Sequence, residues 1–346
     1  MPCQKAKFMH NWDICLFPST LLVRDIMEKI LVTGGMGQIG SELVKTLRQQ
    51  YGDNNVIASD YRIPPHESLQ KWEPFEFLDV TKRDNITDVI QKHKITVIYH
   101  LAAILSAVGE QNPHLAWSIN MSGLYNILES AREHKLTKLF YPSSIAAFGP
   151  ETPRDKTPQE TILQPTTMYG ITKVSGELLC NYYTEKLGMD IRGVRFPGII
   201  SSETLPGGGT TDYAVAIFYE AIKQKKYQCF VRKDTVLPMM YMPDAIKAMI
   251  ELMKVEKSCL QHHSNFNLAS MSFSVEELAQ EIKKHIPEFE CTYAPDFRQE
   301  IADSWPRSID DSAARNEWGW IPDFDLASMT QDMLAKLSRR HELGML

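Results

Sequence analysis

The chain has 346 residues, of which 43% are hydrophobic and 23% charged, and its formal net charge is −6. This length suggests one large domain or two joined domains, and the acidic balance gives no general attraction to nucleic acid or acidic membranes. No apolar run reaches the roughly 18 residues that a membrane span needs. From the charge and this pattern together, we expect neither a nucleic-acid nor a membrane partner. The six cysteines include no Cys-x-x-Cys pair, and this spacing predicts no metal site.

Residues 1–26 form an N-terminal extension before a much clearer start at MEKILVTGG. The extension contains Lys5 and Arg24 but also Asp13 and Asp25, and it lacks the apolar core of a secretory signal. Two interpretations stay open. The extension is a targeting peptide for the mitochondrion, or it is a loosely packed surface segment of a cytoplasmic protein.

Short β-branched and aromatic runs alternate with helix-length amphipathic segments over residues 27–200. Near-continuous apolar strands with helical crossovers predict a parallel sheet covered on both faces, an α/β architecture of the Rossmann type, doubly wound. We therefore assign 27–200 as a dinucleotide-binding domain. The predicted strands are 29–34, 55–60, 75–80, 96–103, 138–144 and 190–200, and the predicted helices are 38–51, 84–93, 113–134 and 167–187.

Residues 201–346 have a different pattern, which predicts a smaller α/β portion that binds substrate, with elements returning to the first domain. A glycine-rich turn at 205–214 leads into a helix, and a strand followed by a helix is predicted over 237–253. Ser274 and Glu277 have the spacing of a capping box at the start of another helix. Segments added after a dinucleotide fold usually complete the substrate cleft.

The sequence LVTGGMGQIGSEL places glycines directly after the first predicted strand. It fits either Gly35-x-Gly37-x-x-Gly40 or Gly34-x-x-Gly37-x-x-Gly40. Both patterns let the backbone turn sharply and approach a pyrophosphate, with the N-terminus of the next helix pointing toward it. The alternative is a glycine-rich turn that binds nothing, but the strand–turn–helix context favours a dinucleotide.

Asp60 ends the second predicted strand, 20 residues past Gly40. A carboxylate there accepts hydrogen bonds from the ribose hydroxyls of NAD and repels the 2′-phosphate of NADP, so we predict NAD. Arg62 is close enough to bind a phosphate, which keeps NADP open. Asp79 ends the third predicted strand, where it could reach the adenine amino group or simply form a turn.

Tyr169 and Lys173 are four residues apart, so they share one face of the predicted helix. A tyrosine is a poor base because its ordinary pKa is about 10. The ammonium group of Lys173 would lower that pKa by stabilising the phenolate, and it could also hold the nicotinamide ribose. Ser144, at the end of a neighbouring strand, could hold a substrate hydroxyl toward Tyr169. Together with the glycine loop, this pattern predicts hydride-transfer chemistry.

Several motifs together resemble the extended short-chain dehydrogenase/reductase superfamily over residues 28–325. They are TGGMGQIG, Asp60, HLAA at 100–103, NMSGLYN at 120–126, PSS at 142–144, YGITK at 169–173 and RFPGIIS at 195–201. Within it, Ser106, the GGGTTDYA turn and the late Trp-Pro of DSWPRSIDD look like the L-threonine 3-dehydrogenases of the short-chain type. The resemblance implies NAD-dependent oxidation of the L-threonine hydroxyl to 2-amino-3-ketobutyrate, in threonine catabolism to glycine and acetyl-CoA, without a metal.

The resemblance also implies residue roles. Tyr169 would be the base, Lys173 its ribose-binding partner and Ser144 the anchor of the hydroxyl, with Ser143 supporting the end of the strand. The implied substrate contacts are Ser106, Ser144, Tyr169, Gly209, Thr210, Thr211 and Trp305, either threonine being able to bind the carboxylate. The implied cofactor contacts are Gly34, Gly37, Gln38, Ile39, Gly40, Asp60, Asp79, Val80, Leu101, Ala102, Ala103, Asn120, Tyr169, Lys173, Phe196, Pro197 and Ile199.

Two other functions remain as alternatives. A nucleotide-sugar epimerase or dehydratase of the same superfamily would carry the same Tyr, Lys and Ser set. A redox-sensing protein could keep the dinucleotide fold without turnover, although such proteins usually lack an intact Tyr–Lys pair. The resemblance further implies a homodimer, in which the predicted helix 114–134 and the Tyr169 helix form a four-helix interface. The alternative for 114–134 is burial against the sheet.

Overall fold

A computed structural model describes residues 28–65, 69–205, 207 and 209–346. The N-terminal extension 1–26, and with it the prediction of a mitochondrial targeting peptide, lies outside the described residues. Among those residues, no helix combines the length and the apolar character needed to cross a bilayer.

The strands alternate with helices along the first half of the chain, as the pattern of apolar runs predicts. The strands are β1 (Ile30–Thr33), β2 (Val56–Asp60), β3 (Phe75–Phe77), β4 (Val97–His100), β5 (Lys138–Ser144), β6 (Ile191–Phe196), β7 (Gly198–Ile200), β8 (Lys226–Cys229), β9 (Val236–Tyr241), β10 (Phe266–Asn267), β11 (Met271–Ser274) and β12 (Glu290–Tyr293).

The helices follow the same chain order. They are α1 (Gln38–Tyr51), α2 (Leu69–Trp72), α3 (Arg83–His93), α4 (Ser106–Gln111), α5 (Pro113–Trp117), α6 (Gly123–Glu133), α7 (Met168–Leu187), α8 (Tyr213–Gln224), α9 (Met242–Lys254), α10 (Val275–His285), α11 (Arg298–Asp303), α12 (Ser312–Trp318) and α13 (Leu326–Glu342). The predicted capping box of Ser274 and Glu277 is present at α10.

The central sheet has seven strands in the order β3-β2-β1-β4-β5-β6-β10, and each pair in it is parallel. One apolar cluster joins it to α1 and α9 on one face, and another joins it to α3, α6 and α7 on the other. The prediction of a doubly wound α/β sheet is therefore confirmed. The chain reverses its winding direction between β1 and β4, and the carboxyl ends of these strands form the edge where such folds bind ligands.

The predicted strand 190–200 is two strands in different sheets. Pro197 interrupts it because proline has no backbone N–H to continue a ladder. β6 stays in the central sheet, whereas β7 pairs with β9, which also pairs with β11. The predicted strands 75–80 and 96–103 are shorter, ending at Phe77 and His100.

The predicted helix 113–134 is also divided, because a π-helical turn at Ser118–Ser122 separates α5 from α6. Such turns add one residue to a helix and are frequent at functional sites. This turn contains Asn120, whose side chain is hydrogen-bonded to the backbone of Ile104 in the loop after β4.

The second portion of the chain has its own apolar core, formed by α8, α10, α13 and the strands around them. Two of its elements return to the central sheet: β10 pairs with β6, and α9 packs beside α1. The boundary at residue 200 stays a prediction, but the exchange of elements explains how residues after 200 reach the cleft at the carboxyl ends of β1 and β4.

Candidate active site

The loop between β1 and α1 forms one wall of a cleft at the carboxyl ends of the parallel strands. Gly34 has a φ of +67°, and a Cβ there would lie 2.8 Å from the backbone nitrogen of Ala102. A Cβ on Gly40 would lie 2.2 Å from the carbonyl oxygen of Gly34. The backbone therefore requires glycine at both positions, and it brings the first residues of α1 to the cleft surface.

Gln38, in the first turn of α1, lines the same cleft. Its side-chain Nε2 is buried and has no hydrogen-bond partner among the described residues. A buried donor normally has a partner, and a donor beside a helix N-terminus suits the oxygen atoms of a pyrophosphate. The loop thus fits a dinucleotide in both its backbone and its side chains.

Asp60 closes the glycine loop from the end of β2. Its Oδ2 accepts a hydrogen bond from the Met36 backbone at 3.1 Å, and its Oδ1 accepts one from the Arg62 backbone at 3.0 Å. The Arg62 guanidinium also donates to both carboxylate oxygens. Because the Arg62 side chain is 63% exposed, this ion pair is weak and its arginine is free to move into solvent. A ribose hydroxyl would share the Asp60 oxygens with Arg62.

Tyr169 and Lys173 lie on one face of α7, and the Lys173 Nζ is 5.3 Å from the centre of the Tyr169 ring. The ammonium group also donates a hydrogen bond to the Pro142 carbonyl at 2.6 Å. Burial raises the pKa of Tyr169 to about 12, and a hydrogen bond with Ser144 partly offsets this rise. Burial lowers the pKa of Lys173 to about 8, and the negative charge of Glu177 partly opposes this effect. At neutral pH the phenol therefore faces a mainly cationic lysine.

The two serines at the end of β5 point in different directions, as successive residues of a strand do. Ser144 accepts a hydrogen bond from the Ala146 backbone at 3.2 Å, and it lines the same cleft as Tyr169. Ser143 is 2% exposed and donates its hydroxyl to Glu177. Both serines line the cleft, but the Ser143 hydroxyl is bound to Glu177, and the catalytic role of Ser144 stays a prediction.

The far end of the cleft is built from segments distant in sequence. The Ser106 hydroxyl, at the start of α4, is 3.3 Å from the Thr210 hydroxyl, and both side chains are buried. Gly209 donates its backbone N–H to Asp212 at 2.7 Å. Trp305 is 4% exposed and forms another wall. These groups offer hydroxyls and an aromatic surface around a small space.

Most of the predicted site residues line this one cleft. They are Gly34, Gly37, Gln38, Ile39, Gly40, Leu101, Ala103, Ser106, Ser144, Tyr169, Lys173, Phe196, Pro197, Ile199, Gly209, Thr210, Thr211 and Trp305. The lining does not include Asp60, Asp79, Val80, Ala102 and Asn120. Their contacts with a cofactor stay predictions.

Two of these outlying residues already have internal partners. Asp79 accepts hydrogen bonds from the backbone and hydroxyl of Thr81, so it forms a turn. The Asn120 side chain exchanges two hydrogen bonds with the Ile104 backbone and donates a third to Thr172 at 3.1 Å. Asn120 therefore fixes the loop after β4 against α7, which positions Ser106 relative to Tyr169.

Sequence reasoning missed several lining residues, namely Leu105, Pro142, Ser143, Ile145, Gly198 and Asp212. All of them except Pro142 adjoin a predicted site residue in the chain, and this adjacency was the available signal. Pro142 contributes a backbone carbonyl, which no side-chain pattern reveals. The described residues contain no group of three or more His, Cys, Asp or Glu able to hold a metal.

These features define a class of dinucleotide-dependent enzymes. They are a parallel doubly wound sheet, a glycine loop before α1 and a Tyr–Lys–Ser cluster at one cleft. Residues 30–269 match the model of the NAD dependent epimerase/dehydratase family, and the chain belongs to that family. The resemblance to extended short-chain dehydrogenases is thereby confirmed.

Particular relatives are similar over nearly the whole chain. A Staphylococcus haemolyticus protein called an uncharacterized epimerase/dehydratase is 51% identical over 317 residues, which are 91% of this chain and 99% of the relative. The structure of L-threonine dehydrogenase from Clostridium difficile is 52% identical with a TM-score of 0.88, covering 91% of this chain and 98% of that one. The structure of a monomeric L-threonine 3-dehydrogenase from a metagenome is 50% identical with a TM-score of 0.86, and the match covers 90% of this chain and 99% of that one.

Proposed function

We propose that this protein is an NAD-dependent L-threonine 3-dehydrogenase, which oxidises the side-chain hydroxyl of L-threonine to L-2-amino-3-ketobutyrate. The observation that carries the proposal is the cleft in which Tyr169, Lys173 and Ser144 face the glycine loop. The 52% identity to the Clostridium difficile L-threonine dehydrogenase supports the choice of substrate.

The chemistry divides among the three side chains. Ser144 holds the substrate hydroxyl toward Tyr169, and the Tyr169 phenolate takes the hydroxyl proton. Lys173, whose ammonium group lies 5.3 Å from the centre of the Tyr169 ring, stabilises the phenolate with its positive charge. NAD, when bound, supplies the acceptor for the hydride that leaves the hydroxyl-bearing carbon. The alcohol thereby loses one proton and one hydride and becomes a ketone.

The opposite end of the cleft would hold the amino acid. Thr210 offers its hydroxyl to the carboxylate, and Thr211 lies next in the chain. Ser106, which already contacts Thr210, lies where it can orient the same group. Trp305 covers the substrate and reduces its contact with water.

The proposed cofactor is NAD, because Asp60 is positioned at the end of β2 to accept ribose hydroxyls and to repel a 2′-phosphate. The proposed product is a β-keto acid, and the resemblance assigns its further conversion to glycine and acetyl-CoA in threonine catabolism.

The test is NADH formation by the purified protein with L-threonine, in parallel with NADP and with a panel of UDP- and GDP-sugars. We expect threonine-dependent reduction of NAD, a slower rate with NADP and no epimerisation of the sugars. No reaction with threonine would refute the proposal, and turnover of a nucleotide sugar would replace it with the epimerase function.

A homodimer is a further part of the proposal. Four large side chains on the surface formed by α5, α6 and α7 are about half exposed or more, namely Trp117, Tyr125, Leu178 and Tyr182. Such a patch is typical of helix-mediated association. Because one relative of 50% identity is monomeric, light scattering coupled to gel filtration must decide between one and two chains.

A further inference from the structure

An ion pair lies buried beneath the catalytic end of β5. The Glu177 carboxylate accepts two hydrogen bonds from the Arg195 guanidinium, from Nε at 2.9 Å and from Nη2 at 2.8 Å. Both side chains are 2% exposed. Glu177 also accepts the hydroxyl of Ser143.

The position of Glu177 connects it to the catalytic residues in two ways. Along α7, Glu177 follows Lys173 by one turn, and Lys173 follows Tyr169 by one turn, so all three share a helix face. Along β5, Ser143 lies between Pro142, whose carbonyl accepts a hydrogen bond from the Lys173 ammonium, and Ser144, which lines the cleft with Tyr169. The Glu177–Ser143 hydrogen bond therefore fixes α7 against the strand end at the point where both reactive groups meet it.

Arg195 extends this contact toward the substrate cover. Its Nη1 donates to Asn267 Oδ1 at 3.1 Å and to the Gln159 carbonyl at 3.0 Å. Asn267 in turn donates to the carbonyls of Thr157 and Asp310, both at 3.2 Å. Arg154, in the same loop as Thr157, donates a hydrogen bond to the Trp305 carbonyl at 3.2 Å. The Glu177 carboxylate thus contacts the end of β5 directly, and through Arg195 and Asn267 it is connected to the loops that contain Thr157 and Asp310.

We propose that Glu177 is a positioning residue of the dehydrogenase reaction, acting through Ser143 on the strand end that places Ser144 and Lys173 around Tyr169. This inference rests on the proposed function. Burying the charges of Glu177 and Arg195 is energetically unfavourable, and this buried pair lies at the catalytic end of β5.

The charge of Glu177 also acts on Lys173. The groups facing Lys173 are Tyr169, Glu177 and Cys180 from its own helix, Tyr141 from β5 and His100 from β4. Burial lowers the pKa of Lys173 to about 8, and Glu177 is the first group that opposes this effect. Without the Glu177 charge, the ammonium would lose its proton at a lower pH, and with it the support of the phenolate.

The chain provides a matched control on the same strand. Arg192 is 1% exposed and forms a bidentate pair with Asp190, but it binds the carbonyls of Leu252 and Val255 and does not line the cleft. Asp190→Asn therefore breaks a comparable bidentate pair away from the site, although the Asp190 side chain is 14% exposed.

The experiment compares Ser143→Ala, Glu177→Gln and Asp190→Asn by kcat, KM for L-threonine, the pH profile from 6 to 10 and the NAD dissociation constant. The amount of active protein is normalised by titration with NAD. We expect Ser143→Ala and Glu177→Gln to lower kcat about tenfold or more while KM changes by less than about twofold. Glu177→Gln should also move the alkaline limb of the profile to lower pH, a shift that a loss of folded protein cannot produce. Asp190→Asn should lower the melting temperature and keep kcat and the pH profile.

Wild-type kcat and an unshifted profile in Ser143→Ala and Glu177→Gln would overturn the inference, as would an equal loss of kcat in Asp190→Asn. If Glu177→Gln does not fold, Ser143→Ala decides, because it removes one hydroxyl and leaves the ion pair in place. If the wild-type protein does not oxidise threonine, the proposed function fails separately. NAD binding then tests the positioning of Lys173. The affinity for NAD should be about fivefold weaker in Ser143→Ala than in Asp190→Asn. Equal affinities in the two variants would refute the inference.

Discussion

The two walls of the cleft are held in place by different means. The cofactor wall depends on backbone space, since Gly34 and Gly40 leave no room for a Cβ against neighbouring main-chain atoms. The substrate wall depends on side chains from separate segments, such as the Ser106–Thr210 contact and the bond from the Arg154 guanidinium to the Trp305 carbonyl. Changes in the first wall should therefore act through sterics, and changes in the second through single hydrogen bonds.

The catalytic residues lie between the walls, and their loss should have the largest effect. We expect Tyr169→Phe to lower kcat/KM by about 10²-fold or more, because it removes the general base and leaves the packing nearly unchanged. Steady-state assays with L-threonine measure the loss. Tyr182→Phe on the same helix is the control, since Tyr182 is 54% exposed and outside the cleft. Unchanged oxidation by Tyr169→Phe would mean that another group is the base.

A single added methyl group in the cofactor wall should weaken NAD binding. Gly40→Ala places a Cβ 2.2 Å from the Gly34 carbonyl oxygen, so the loop must move. We expect NAD binding to weaken about tenfold or more, a loss of roughly 1.4 kcal/mol or more. Fluorescence titration with NAD measures it. Gly188→Ala is the control, because Gly188 has a φ of +73° but no atom within 4 Å of a new Cβ. It should lose stability and bind NAD normally.

The choice of cofactor depends on a charge at the edge of the same wall. Asp60→Asn removes the negative charge that disfavours a 2′-phosphate and releases Arg62, so the preference for NAD over NADP should fall about tenfold. The ratio of kcat/KM for the two cofactors measures this change. An unchanged ratio would show that Asp60 serves the loop through Met36 alone.

The substrate wall should respond least to a single change. Thr210→Val keeps the shape and removes one hydroxyl, so KM for L-threonine should rise about fivefold, corresponding to roughly one hydrogen bond. NAD binding should stay the same. Thr330→Val is the matched control, because the buried Thr330 hydroxyl has no hydrogen-bond partner among the described residues. A rise in KM in that variant too would point to general destabilisation.

The two walls also differ in the kind of sequence signal that predicted their residues. The cofactor wall was predictable because its requirements are local: a strand, glycines at fixed spacing and a helix follow one another in the chain. The Tyr169–Lys173 pair was predictable from helical periodicity for the same reason.

The contacts that sequence reasoning missed join residues far apart in the chain. Nothing local indicates that Ser106 meets Thr210, or that Glu177 meets Arg195, since these pairs form only when α4, α7 and β6 are packed. The predicted strand 190–200 was wrong for a related reason. Its apolar character continues past Pro197, but the missing N–H sends the chain into a second sheet, which depends on tertiary pairing with β9.

The change of sheet at Pro197 has a mechanical consequence. Phe196, Pro197, Gly198 and Ile199 line the cleft, so its floor is the joint between two sheets. A molecule bound there contacts both sheets at once, so the free energy of binding also opposes separation of the two sheets. Ligand binding should therefore stabilise the contact between the two sheets. We expect the two sheets to unfold together more cooperatively in the ligand-bound protein than in the free protein.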